Sequence, residues 1–289
     1  MTLTQDRPTT DAATSAADFR CLLVHVEPGL AATHRVVAAA ALARSLDARL
    51  IGLGAETLDP FPAPDPMAGY GAGEWLVLMQ EQVTNDLQSA AEGFRRDAAE
   101  ADTEWRSVQD YPTRAMARLA RAADLLVVSP RNRAGAARAV DPAELVLTAG
   151  RPVLMAPEGG RHFRGKTVVV GWKDAREARR AVADALPFLR RADEVLVQTV
   201  RPRDETDSAQ SETADVVAAL KRHGVQARAI VSPGHVDDAP EILAKTAHNA
   251  GADLIVVGGY GHSRAREWVF GGVTDVLIHN PPCFVLFSH

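Results

Sequence analysis

The chain has 289 residues, 46% apolar and 24% charged, with a formal net charge of −5. This composition excludes global disorder and argues against a general nucleic-acid binder, which needs a strongly basic face. Two cysteines, Cys21 and Cys283, exclude a disulfide framework and read most simply as core thiols.

Residues 1–18 are polar and lack the apolar stretch of a secretory signal, so they are expected to be a disordered tail. The small-apolar stretch 36–43 is far too short to span a bilayer, and a soluble, cytoplasmic protein is expected. Short Val-, Leu- and Ile-rich runs then predict strands at 20–26, 49–54, 103–108, 124–129 and 152–156. Between the second and third lies an insert, 57–73, with Pro60, Pro62, Pro64, Pro66 and three glycines, expected as a surface loop. The turn-rich segment 158–162 is short, so whatever it joins should pack together and not swing freely. Further strands are predicted at 166–172, 194–200, 226–231, 252–258 and 283–287, with helices at 176–190, 211–223, 239–249 and 273–279. Ala178, Ala181, Val182, Ala185 and Leu189 give the first of these helices its spacing. Asp174 with Glu177 resembles a capping box, and Pro187 is expected to kink the last turn.

The pattern repeats. Ala123-Asp-Leu-Leu-Val-Val and Ala252-Asp-Leu-Ile-Val-Val lie 129 residues apart, and Arg20-Cys-Leu-Leu-Val pairs with Lys166-Thr-Val-Val-Val. Pro152-Val-Leu-Met pairs with Phe284-Val-Leu-Phe, and all three pairs keep their order. The chain is therefore expected to be a tail plus two copies of one α/β unit, at 19–157 and 163–289. Each copy would be a five-stranded, parallel-type sheet flanked by helices, since nearly continuous apolar strands are those buried on both faces.

Ligands of open α/β sheets sit beyond the carboxyl ends of the strands. There the second copy carries a long loop that begins Gly258-Gly-Tyr-Gly261-His262-Ser263-Arg264 and ends Gly271-Gly272-Val273-Thr274 at the start of a helix. Gly258 and Gly261 let a ligand approach the backbone closely. The helix start after Gly271 offers unpaired amides and a positive dipole end. Thr274 adds a hydroxyl, and His262, Ser263, Arg264 and Arg266 add polar and positive groups. Residue chemistry alone therefore points to a phosphate-bearing ligand. Trp268 and Phe270 read as anchors that pin the loop to the protein.

The spacing of Gly258, Gly261, Gly271 and the small residue Gly272 closely resembles the nucleotide-binding motif of the universal stress protein family. That family's usual Ser or Thr is Gly272 here, and its next hydroxyl is matched by Thr274. Val170-Gly171-Trp172, the helix start at 174–181 and the closing run Cys283-Phe-Val-Leu also match. The resemblance implies two tandem Rossmann-like domains of the adenine-nucleotide alpha-hydrolase type. It further implies a stress-response regulator that binds ATP or a related phosphate compound, with or without Mg2+, the adenosine lying near Gly171, Trp172 and Lys173. Lys173 replaces the family's acidic residue and cannot accept a hydrogen bond. The resemblance also implies dimerisation through the last strands. In a tandem chain, 152–156 and 283–287 would then pair within the molecule as a pseudo-dimer, with a further homodimer left open.

The first copy departs from the motif. Its loop, from Ser129 through Pro130 to Val140, is shorter and lacks the glycines, although Glu27 keeps the acidic position. It reads as a degenerate site whose Arg131, Arg133 and Arg138 belong to a solvated loop. Trp172 can be read as a base-stacking platform or as a packed tryptophan at the core edge. No His-Glu-x-x-His, Cys-x-x-Cys or Walker sequence occurs, so neither a metal site nor more than slow ATP hydrolysis is expected. The alternative function is a non-nucleotide interaction or sensing module with a drifted site, which Lys173 and Gly272 favour.

Overall fold

A computed structural model of the chain describes residues 18–58, 69–130, 138–159, 162–261 and 272–289. The apolar runs form ten strands: β1 (Cys21–His25), β2 (Arg49–Glu56), β3 (Thr103–Gln109), β4 (Leu125–Val128), β5 (Val153–Met155), β6 (Thr167–Trp172), β7 (Glu194–Arg201), β8 (Ala227–Pro233), β9 (Leu254–Gly258) and β10 (Phe284–Ser288). Each lies within two residues of its predicted limits. The helices are α1 (Thr33–Leu46), α2 (Gly69–Asp97), α3 (Pro112–Leu119), α4 (Pro142–Thr148), α5 (Arg176–Leu189), α6 (Thr206–Arg222), α7 (Ala239–Ala250) and α8 (Gly272–His279).

All ten strands join one sheet in the order β3-β2-β1-β4-β5-β10-β9-β6-β7-β8. Within each half every pairing is parallel. The halves meet in one antiparallel pair, β5 with β10, where Leu154 faces Leu286. The second half thus repeats the strand order of the first about a pseudo-two-fold axis, as the pseudo-dimer expectation holds. The tandem α/β architecture is the one read from the sequence.

Residues of one strand alternate between two buried layers, which is why the strands are apolar throughout. Leu22, Val24, Val168, Val170 and Val256 face α1, α2, α5 and α6. Leu23, Val169, Ile255, Val257 and Phe287 face α3, α4, α7 and α8. Burying one such side chain contributes roughly 1.5–3 kcal/mol, and both layers run unbroken from one half to the other. Phe19 packs tilted against Phe188 with ring centroids 5.1 Å apart, and Arg191 pairs with Asp18 at 3.3 Å, tying the halves outside the sheet as well.

Several local expectations change. The insert was expected as loop to residue 73, but α2 already starts at Gly69, and the rest of its proline run lies outside the described residues. No capping box forms on α5: its N-cap is Ala175, Asp174 pairs with Arg179, and Glu177 is buried. The chain ends α5 at Leu189, within one turn of Pro187. Helix α6 begins at Thr206 and not near Ser211, because Ala209 and Thr213 are buried and the Thr213 hydroxyl bonds the Ala209 carbonyl and Thr199.

Candidate functional site

The carboxyl ends of β6 and β9 bring together part of the predicted site. Trp172 closes β6 with only 9% of its surface exposed, packed in the α5 layer. Gly171 faces the opposite layer, where a Cβ would come within 2.9 Å of Leu243 and Val257. Close packing of α7 accounts for that glycine. Lys173 is exposed just beyond the strand.

Gly258 ends β9 hard against the first turn of α5. A Cβ there would stand 2.6 Å from the Ala178 nitrogen and the Glu177 carbonyl carbon, so no side chain fits without moving backbone. Gly259 is buried, and its N–H donates to the Ser288 carbonyl at 2.8 Å. Tyr260 takes a left-handed conformation, φ 49°, and turns the chain outward. Gly261 follows, exposed, and a Cβ there would have the Glu177 carboxylate as its nearest neighbour among the described residues, at 3.8 Å. The chain returns at Gly272, the first residue of α8, followed by half-buried Val273 and buried Thr274. His262, Ser263, Arg264 and Gly271 lie outside the described residues, as do Arg266, Trp268 and Phe270.

Sequence reasoning did not find the acidic groups at these glycines. Glu177, 3% exposed, stands at Gly261 and pairs with Arg176 at 3.5 Å. The Asp237 carboxylate lies 3.6 Å from the Cβ position of Gly272, at the helix end that favours negative charge. The signal for Glu177 was a glycine in contact with a helix start. Asp237 comes from a distant turn and left none. Among the described residues no group of three His, Cys, Asp or Glu side chains forms a metal site.

The first half holds a different arrangement at the matching place. Sheet register pairs Leu22 with Leu125 and Val168 with Leu254, which aligns His25 with Gly171, Glu27 with Lys173 and Ser129 with Gly258. The buried helix faces Val36, Ala39, Ala43 and Ala178, Ala181, Ala185 align Arg35 with Glu177. The buried Arg35 guanidinium donates to the His25 carbonyl from Nε at 3.0 Å and from Nη2 at 2.7 Å. It also donates to the Ser129 hydroxyl and the Glu27 carboxylate. Burial opposes ionisation of Glu27, but Arg35 and then His25 hold its carboxyl below the ordinary value. Burial pushes His25 down to about 4, so at neutral pH its 3.8 Å approach to Glu27 is a contact of a neutral ring and not an ion pair. Side chains of this half thus bridge the strand ends where the other half has glycines packed against its helices. Arg138, expected on a solvated loop, is exposed and pairs with Asp86 at 2.7 Å and Glu56 at 3.7 Å, while Arg131 and Arg133 lie outside the described residues.

Fold and site together define a tandem, doubly wound α/β protein of the Rossmann-like class. Residues 165–289 match the model of the Universal stress protein family. A universal stress protein from Archaeoglobus fulgidus DSM 4304 has a similar structure, with TM-score 0.65 and 12% identity, covering 93% of this chain and 95% of that one. A putative universal stress protein from Pseudomonas aeruginosa UCBPP-PA14 is similar at TM-score 0.59 and 16% identity, covering 93% of each chain. At these identities the likeness is one of fold. No curated protein matches the chain in sequence. Among the described residues no helix is long and apolar enough to cross a membrane.

Proposed function

We propose that the chain is a cytoplasmic regulatory protein of the stress response, built of universal-stress-protein-like units at 19–157 and 163–289. In this reading the second unit binds ATP or a related phosphate compound and the first binds none. The observation that supports it most is the asymmetry at the carboxyl edge of the sheet. Gly258 and the exposed Gly261 carry no side chain at the end of β9, and Gly272 begins α8. The equivalent ground in the first half is filled by Arg35, Glu27 and Ser129. A backbone cradle at a helix start suits phosphate. Gly258, Gly261, Gly272, Val273 and Thr274, with His262, Ser263, Arg264 and Gly271, would hold the phosphates, and Gly171, Trp172 and Lys173 would border the adenosine. Bound Mg2+ would neutralise phosphate charge facing Glu177 and Asp237.

One observation favours the second reading, a sensing module that takes no nucleotide: carboxylates stand at both Gly261 and Gly272. Calorimetric titration with Mg·ATP separates the two. Saturable heat with wild type, lost in Gly261→Val, supports nucleotide binding. Absence of heat up to millimolar ATP supports the module.

A further inference from the structure

The root of the glycine loop is held from two sides by groups outside the loop. Gly259 lies between the halves: a Cβ on it would come within 2.6 Å of Val146 Cγ1, on α4 of the first half. Its N–H is taken by the Ser288 carbonyl, and its carbonyl accepts from His289 Nδ1 at 3.0 Å. A carbonyl cannot donate, so Nδ1 carries the proton, and the other ring nitrogen, Nε2, faces Arg176 Nη2 at 3.4 Å. His289 thus bridges the loop root to the first turn of α5, against which Gly258 is already pressed. Val146 is itself fixed by its own half. Asp141 caps α4 by accepting from the Ala143 N–H at 3.0 Å, and the Asp141 N–H donates to the Thr113 hydroxyl at 2.8 Å. Val146 is 3% exposed in a layer it shares with Phe287 and Ile278. Both contacts end where Tyr260 turns through its left-handed conformation. A non-glycine residue persists there only when its surroundings over-determine it.

We propose that Val146 and His289 are positioning residues for the second-half site: by fixing the Gly259 peptide they set the path of Gly258–Gly261 and with it the affinity for a phosphate ligand. The first half then acts on a ligand it does not touch. This rests on the nucleotide reading above.

The experiment compares the full chain with Val146→Ala, His289→Ala, His289→Asn and His289→Gln. It reads amide hydrogen exchange over 258–261, Mg·ATP affinity by calorimetry and unfolding free energy in urea. Val146→Ala and His289→Ala should speed exchange at the loop root and weaken Mg·ATP roughly tenfold. His289→Asn places an amide N–H where Nδ1–H was and should restore most of the affinity; His289→Gln, with its amide displaced, should not. A merely structural role would lower unfolding free energy while the folded protein kept its affinity. Wild type that binds, with both alanine variants within twofold of it, overturns this inference alone. Wild type that fails to bind Mg·ATP overturns the nucleotide reading and this inference together.

Discussion

Arg35 and Glu177 hold equivalent places at the start of the first helix in each half, and they carry opposite charges. Arg35 reaches across the sheet edge to Glu27 and Ser129 and closes that edge. Glu177 pairs with its neighbour Arg176 and stands beside Gly258 and Gly261. One exchanged residue type thus separates an edge bridged by a guanidinium from one where a carboxylate stands beside glycines.

The filled edge should behave as a buried ion pair. Arg35 and Glu27 side chains are 3% and 17% exposed. Arg35→Ala strands a buried carboxylate and should lower the unfolding free energy by about 3–5 kcal/mol in urea denaturation. The double variant Arg35→Met with Glu27→Leu should recover most of that loss, because the remaining groups carry no unpaired charge.

The same cluster should make the protein sensitive to mild acid. His25 is held at about 4 against an ordinary 6.5, so below 6.5 the unfolded chain binds a proton that the folded protein does not. The folded state is at full strength at neutral pH. It should lose up to about 3 kcal/mol as pH falls from 6.5 to 4. Glu27, also held low, adds a loss below the ordinary carboxylate range. Unfolding free energy measured across this window should flatten in His25→Leu.

Two glycines of the motif should respond differently to alanine. In Gly258→Ala the methyl meets backbone of α5 at 2.6 Å, which should cost about 1–3 kcal/mol of stability and displace the loop root. In Gly272→Ala the nearest atom among the described residues is 3.6 Å away, an ordinary contact, and thermal unfolding should stay within about 0.5 kcal/mol of wild type.

Much of this was legible in the sequence. Strands buried on both faces are uninterrupted apolar runs, so all ten were found, and the repeat gave the tandem organisation. Helix α2 was not foreseen to begin in a glycine-rich stretch, because local propensity opposes it. Asp174 and Glu177 mimicked a cap, yet Glu177 turned inward to the glycines. Arg35, amid alanines of α1, gave no sign of joining Ser129, since that meeting depends on β4 lying beside β1. Val146 reaches Gly259 only through the β5–β10 junction, which places residues more than a hundred positions apart in contact, and His289 reaches it through the pairing of β10 with β9.

Asp237 should oppose phosphate at the start of α8, weakly because it is exposed. Without divalent cation, Asp237→Asn should bind ATP roughly two- to fivefold more tightly, and added Mg2+ should narrow the difference. Parallel titrations with and without the cation test this.

The central claim is one ligand site per chain, in the second half. Its most direct measurement is the stoichiometry of Mg·ATP binding to the full chain by calorimetry, beside Gly261→Val, which places a side chain next to Glu177. The account predicts one ATP per chain and none for the variant. Two ATP per chain, or undiminished binding by the variant, would contradict it.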